Sequence, residues 1–265
     1  MSTSNTVTSQ DGTRIAFSKA GQGPAVILVD GAFCFRQFGP MMPLTERLSP
    51  HFTVYAYDRR GRGESTDTQP YAVEREIEDI AALIEEAGGS AYVYGTSSGA
   101  GLALNAAASG LNITKLALFE PPYNDDPANL QPALNYKQTL GDAIAEGRRG
   151  DAATTFMTYV GTPAEMVDGM RGTPVWSVFE AVAPTLGYDA TVMGDFTVPT
   201  ELAAKITAPT LVMAGGEGPS PEFMRATART IQQAIPNAEY HVIEGQGHDV
   251  DPDAVSPLII EFFNR

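Results

Sequence analysis

Cysteine occurs once in these 265 residues, at Cys34, so no disulfide can form within the chain. Histidine occurs only three times. With no cluster of Cys and His at ligand spacing, neither a structural nor a catalytic metal is expected. No apolar run reaches the length of a membrane span, and residues Met1 to Thr6 have neither the basic start nor the apolar stretch of a secretory leader. A soluble cytoplasmic protein is the expectation. Positive charge is scarce: 17 Lys and Arg stand against 32 Asp and Glu, a formal net charge of −15. Nucleic acid and anionic membrane surfaces would be repelled, and anionic substrates are mildly disfavoured. Repeats, low-complexity tracts and long runs of one charge are also missing, which leaves one compact unit of ordinary core size.

What is present is organised around Ala91-Tyr-Val-Tyr-Gly95-Thr-Ser97-Ser98-Gly99-Ala-Gly101. A run of β-formers meets Gly-x-Ser-x-Gly and passes into the alanine-rich Leu102 to Ala108, the pattern of strand, sharp turn and helix. Ser97 is then the nucleophile at the apex, with the Ser98 N–H aimed toward a developing oxyanion. The same glycines also fit a dehydrogenase nucleotide loop. That reading wants them after the first strand and a Tyr-x-x-x-Lys pair further on, and no Tyr here has Lys four residues later.

In chain order, Thr6 to Ser9 and Arg14 to Lys19 flank the turn Asp11-Gly12 and read as a hairpin. Ala25 to Val29 is a continuous apolar run of the kind buried on both sheet faces. It leads into Asp30-Gly31-Ala32-Phe33, where a backbone N–H of Gly31 or Ala32 would face that of Ser98 as the second oxyanion donor. Thr53 to Tyr57 is the next strand. The loop Asp58-Arg-Arg-Gly-Arg-Gly-Glu-Ser65 behind it is expected to be structural, with its Asp and Arg side chains paired internally. Residues 71 to 87 form an amphipathic helix, with Val73, Ile77, Ile80, Ile84 and Ala87 inward and Glu74, Glu76, Glu78 and Asp79 as its solvated face.

Thr114 to Phe119 is another strand, and Glu120 stands at its end, fixed by Pro121 and Pro122. From 123 to 199 the strand rhythm stops and helical patterns take over, including Leu130 to Arg148 and Asp151 to Val160. This segment is expected to be a helical cap, with Trp176, Phe179, Met166 and Met170 as candidate pocket linings. The α/β pattern resumes with strand Pro209 to Ala214, helix Pro221 to Ile235, strand Glu239 to Ile243 and helix Pro252 to Phe263. Between the last two lies Gly245-Gln-Gly-His248, and His248 is the candidate general base.

On Gly95-Thr-Ser-Ser-Gly99, the 58–65 loop, Pro209-Thr-Leu-Val212 and Gly245-Gln-Gly-His248, the chain resembles the α/β-hydrolase fold superfamily. The resemblance implies a mostly parallel sheet with helices on both faces, a core of 1–122 and 200–265, and a helical cap of 123–199. It departs from the common pattern twice. Asp30-Gly31 stands where His-Gly is usual, and Gly218 stands where most relatives carry the triad aspartate. Glu217, one residue early, and Glu120 are the carboxylates available to orient His248. Glu120 is favoured, because similar branches, haloalkane dehalogenases and zearalenone-type lactonases among them, place a triad glutamate at that strand end. The lactonases are similar also in Asp-Gly, in a Ser-Ser-Gly-Ala elbow and in a Pro-Val-Trp of the cap. The implied function is a cofactor-free serine esterase or lactonase acting on a small-molecule ester or lactone, with Ser97, His248 and Glu120 catalytic, Gly31, Ala32 and Ser98 at the oxyanion, and Asp30 and Trp176 as substrate contacts. A C–C hydrolase or perhydrolase, or a ligand-binding protein without turnover, is the alternative.

Overall fold

The apolar runs are continuous because the sheet they form is covered on both faces. The computed structural model describes residues 5–124, 126–218 and 221–265. Its strands are β1 (Asn5–Thr8), β2 (Arg14–Ala20), β3 (Ala25–Val29), β4 (Thr53–Tyr57), β5 (Ala91–Thr96), β6 (Ile113–Phe119), β7 (Thr210–Gly215) and β8 (Ala238–Ile243). They form one sheet in the order β1-β2-β4-β3-β5-β6-β7-β8. β3 to β8 run parallel, whereas β1 and β2 are antiparallel additions at one edge.

Alternate residues of each strand serve opposite faces. Ile27, Val29, Val93, Leu116, Leu118 and Val212 join one core. It is covered by α2 (Val73–Glu86), α3 (Ser98–Ala108) and α10 (Pro221–Ala234). Val26, Leu28, Val54, Tyr94, Ala117 and Met213 join the other, beneath α1 (Met41–Leu48) and α11 (Pro252–Asn264). The remaining helices fall in the connection from β6 to β7: α4 (Leu130–Ala145), α5 (Arg149–Tyr159), α6 (Ala164–Arg171), α7 (Pro174–Val182), α8 (Leu186–Val192) and the short α9 (Thr200–Ala203). Among the described residues no helix is long and apolar enough to cross a membrane.

The helix after β4 differs from its sequence reading. Glu76 and Asp79 are buried with Ile80, Leu83 and Ile84, not solvated. Positions 76, 79, 80 and 83 share one helical face, and that face carries acids because the 58–65 loop buries Arg59 and Arg60 against it. Arg59 forms a two-pronged ion pair with Glu76, both contacts at 2.7 Å, and Arg60 does the same with Asp79 at 2.7 and 2.8 Å. The arginines therefore pair outside their loop, and Asp58 pairs outside it too, with Arg36 at 3.0 Å. Burial pushes the Asp79 carboxyl up to about 6, although the Arg60 guanidinium draws it down.

These pairs fasten the loop at the carboxyl end of β4, next to the ends of β3 and β5. Removing one member of a buried pair strands a desolvated charge. Glu76→Ala is expected to lower the unfolding free energy by about 3–5 kcal/mol. Urea unfolding followed by circular dichroism checks this, and a loss under about 1 kcal/mol would mean the pair is dispensable.

Candidate active site

The turn between β5 and α3 places Ser97 in a backbone conformation that non-glycine residues rarely adopt, φ 54° and ψ −131°. It persists because its surroundings hold it. The Ser97 N–H donates to the Phe119 carbonyl at 2.9 Å, and the Ser97 carbonyl accepts from the Ala100 N–H at 2.9 Å. Gly99 lies so close to β3 that a Cβ there would collide with the Val29 and Asp30 carbonyl oxygens. A Cβ at Gly95 would sit 2.6 Å from the Gly99 carbonyl oxygen. Both glycines of the motif are thus required by close backbone approach.

Three side chains converge over the ends of the parallel strands. The His248 Nε2 lies 3.1 Å from the Ser97 Oγ, and its Nδ1 lies 2.6 Å from the Glu120 Oε2. Glu120 is 2% exposed and its Oε1 accepts the Gly215 N–H at 2.8 Å, so the carboxylate is fixed by the end of β7 as well. The His248 side chain is 40% exposed, which leaves the imidazole facing the open side of the site. Of the two candidate acids, Glu120 meets His248, whereas Glu217 is exposed and its N–H donates to the Gln246 carbonyl at 2.8 Å.

The loop after β3 comes up against Ser97. A Cβ at Gly31 would be 3.0 Å from the Ser97 Cβ and 3.6 Å from its Oγ, so a side chain there would crowd Ser97. The Gly31 carbonyl points the other way and accepts from the Arg62 Nη1 at 2.6 Å. In a planar trans peptide the Ala32 N–H is opposed to that carbonyl and so faces away from Arg62.

Asp30 and Trp176, the two expected substrate contacts, are both buried. Asp30 is 1% exposed and neither carboxylate oxygen has a hydrogen-bond partner among the described residues; the Gly31 amide and the Cys34 thiol face it without completing a normal bond. Burial, only partly offset by the Arg62 and Arg59 guanidiniums, pushes its carboxyl up to about 7. Trp176 is 7% exposed, edge-on to Phe179 with the Arg171 guanidinium over its ring, and so belongs to the packing among the inserted helices. Met166 is 58% exposed. Phe179 is better placed than either: its ring lies 4.8 Å from Phe33, which follows Gly31 and Ala32, and Phe156 meets Phe33 edge-on at 5.0 Å. Phe33 and Phe156 carried no spacing signal that would have joined them, because the contact is between a loop and an inserted helix. Asp189 on α8 was missed for the same reason. It is buried and accepts from the Ser98 Oγ at 2.7 Å.

A mostly parallel sheet with the serine turn after β5, an acid after β6 and a histidine after β8 is the arrangement of an α/β-hydrolase fold. The chain belongs to the Alpha/beta hydrolase family, whose model matches residues 26–258. An alpha/beta hydrolase from Sphaerobacter thermophilus DSM 20745 is 55% identical, with a TM-score of 0.86 over 98% of this chain and 100% of that one. A thermophilic esterase from Thermogutta terrifontis, solved with malate bound, shares the fold at 24% identity, with a TM-score of 0.74 over 99% of this chain and 98% of that one. A pimeloyl-[acyl-carrier protein] methyl ester esterase of Xanthomonas campestris is 37% identical over 100 residues, a stretch that spans 37% of each chain.

A carboxyl that is neutral when folded and ionised when unfolded binds a proton only in the native state between the two pKa values. Its contribution to stability is therefore complete at acid pH and is lost as pH rises toward the folded value of about 7. Asp30→Asn is expected to gain on the wild type by about 1.4 kcal/mol per pH unit between about pH 5 and about pH 7, and to level off above that. Urea unfolding of both proteins across this range measures the gain, and a difference that does not change with pH would mean Asp30 titrates alike in both states.

Proposed function

We propose that this protein is a serine hydrolase that cleaves a small to moderate, largely apolar carboxylic ester or lactone through an acyl-enzyme. The observation that carries the reading is the continuous contact from the Ser97 Oγ through His248 to Glu120. A carboxylate has no proton to give, so the contact with Glu120 puts the imidazole proton on Nδ1 and leaves Nε2 free to accept. In the first half-reaction Nε2 takes the Ser97 proton as Oγ attacks the carbonyl carbon. The imidazolium then returns that proton to the leaving alkoxide as the C–O bond breaks. In the second half-reaction water enters by the same route, and the carboxylic acid leaves with Ser97 restored. Glu120 orients the ring and stabilises the imidazolium throughout.

The N–H groups of Ser98 and Ala32 are the proposed oxyanion donors; the Gly31 carbonyl bound to Arg62 supports Ala32 over Gly31. Residues 123–199 are proposed as the cap, with Phe33, Phe156 and Phe179 as an apolar wall for the substrate. Ester chemistry is in keeping with the names of the Xanthomonas and Thermogutta relatives. An uncharged substrate suits a chain of net charge −15. The reaction as written needs no cofactor.

A fluorophosphonate serine probe followed by intact-mass measurement tests the nucleophile. One adduct on the wild type and none on Ser97→Ala is the expected result, and no adduct on folded wild-type protein would favour a binding protein. Glu120→Gln is the second test. Its amide can keep the Gly215 contact but must offer NH₂ to Nδ1, which drives the ring proton to Nε2 and blocks the base. A fall in kcat of about 10³–10⁴ with an unchanged melting temperature is expected, and unaltered turnover would remove Glu120 from the mechanism.

A further inference from the structure

The inserted helices send one acid deep into the core, and its contacts all lead to the atoms around Ser97. Asp189 is the one charged residue of α8, and it is buried. Its Oδ1 accepts from the Ser98 Oγ at 2.7 Å and from the Arg59 Nη1 at 2.6 Å, and its Oδ2 accepts from the Arg62 Nη2 at 2.6 Å. Arg62 reaches on to the Gly31 carbonyl at 2.6 Å and to the Thr185 Oγ1 at 3.0 Å, while the Arg59 Nη1 reaches the Asp30 carbonyl at 3.3 Å. Two successive carbonyls of the loop after β3 are therefore held from behind by arginines that Asp189 holds in turn. Burial would raise the Asp189 carboxyl, but Arg62, Arg59 and the Ser98 hydroxyl outweigh it and keep the carboxyl below its ordinary range.

We infer that Asp189 is a positioning residue for the oxyanion site of the proposed hydrolase: by gripping Ser98 directly and the Gly31 carbonyl through Arg62, it sets the directions of the Ser98 and Ala32 N–H groups. The inference rests on the hydrolase reading. The physical reason is that a peptide plane turns as a unit. With the Gly31 carbonyl tied to Arg62, the Ala32 N–H is presented on the opposite side; with Arg62 released, the plane can rotate and the donor is lost. A donor that is preorganised before the charge develops acts on the transition state far more than on the bound ester. Charge matters as well as shape. Arg59 and Arg62 are matched by Glu76 and Asp189, and neutralising Asp189 leaves a single carboxylate, Glu76 on Arg59, for two buried guanidiniums. Arg62 then has no anionic partner to hold its fork in place.

The test is Asp189→Asn, which keeps the outline of the side chain and removes its charge, assayed beside wild type and Ser97→Ala on p-nitrophenyl butyrate. A melting temperature is recorded for each. The expected result is a fall in kcat of about 10²-fold with KM within about twofold. The pH dependence of kcat/KM, which reports the histidine, should not move. Inhibition by a boronic acid, whose tetrahedral adduct on Ser97 places an oxygen at the oxyanion site, should weaken by a similar factor. A folded Asp189→Asn with wild-type kcat, or with the loss confined to KM, overturns the positioning role. If Asp189→Asn does not fold, Ser98→Ala decides: it deletes only the hydroxyl bound to Asp189, a fall in kcat of about tenfold supports the inference, and unchanged kcat refutes it. Wild-type protein that neither turns over the ester nor takes the fluorophosphonate at Ser97 would instead defeat the hydrolase reading itself. Loss of Asp189's role alone would leave wild-type turnover intact.

Discussion

The structure depends on how closely the β5–α3 turn can be pressed against β3. Gly99 rests on the Val29 and Asp30 carbonyls with no room for a side chain, and Gly31 lies close against Ser97. This double approach fixes the strained Ser97 backbone and brings the loop after β3 within reach of the same point in space. The rest of the site is arranged around that point. β6 and β7 together fix Glu120, whose own backbone lies at φ 47°, and the loop after β8 carries His248 to it. Strand order thus determines which loops can contribute, since only those at the carboxyl ends of β3 and its parallel neighbours reach Ser97.

Around this point the protein has assembled more buried charge than a hydrolytic site requires. Arg59, Arg60 and Arg62 are all buried, and each is matched by acids drawn from other elements. Asp30 is the exception, with no hydrogen-bond partner for either oxygen among the described residues. An ionised Asp30 would place a negative charge directly before the peptide that carries the proposed oxyanion donors, where it would oppose the charge that must form. The burial that pushes it up to about 7 keeps it largely neutral under mildly acidic conditions and so relieves that opposition.

Much of this was legible in the sequence, for reasons that differ by element. Continuous apolar runs gave the parallel strands because burial on both faces removes alternation, and the glycine spacing located Ser97 because the turn has few alternatives. Glu120 could be favoured over Glu217 from its place at a strand end. The acids of α2 were legible in principle, since 76, 79, 80 and 83 share a face, but the pattern shows itself only once an arginine-rich loop is known to lie against it. Asp189, Phe33 and Phe156 were not legible. Their roles arise where inserted helices meet a loop of the sheet, and no periodicity within either segment encodes the angle at which they meet. Trp176 shows the same limit: an aromatic residue in such a helix packs against its neighbours or faces the pocket according to a rotation the sequence does not print.

Asp189 also bears on how such a protein can change over time. An insertion that merely roofs a sheet is an exchangeable part, and a lineage can replace it to take new substrates. Here α8, in the connection from β6 to β7, carries a carboxylate that pairs with two arginines of the 58–65 loop. A replacement of the same outline but lacking an acid at this place would leave the scaffold electrostatically unbalanced even if its surface fitted. The 58–65 loop and α8 are therefore one electrostatic unit, although more than 120 residues separate them in the chain.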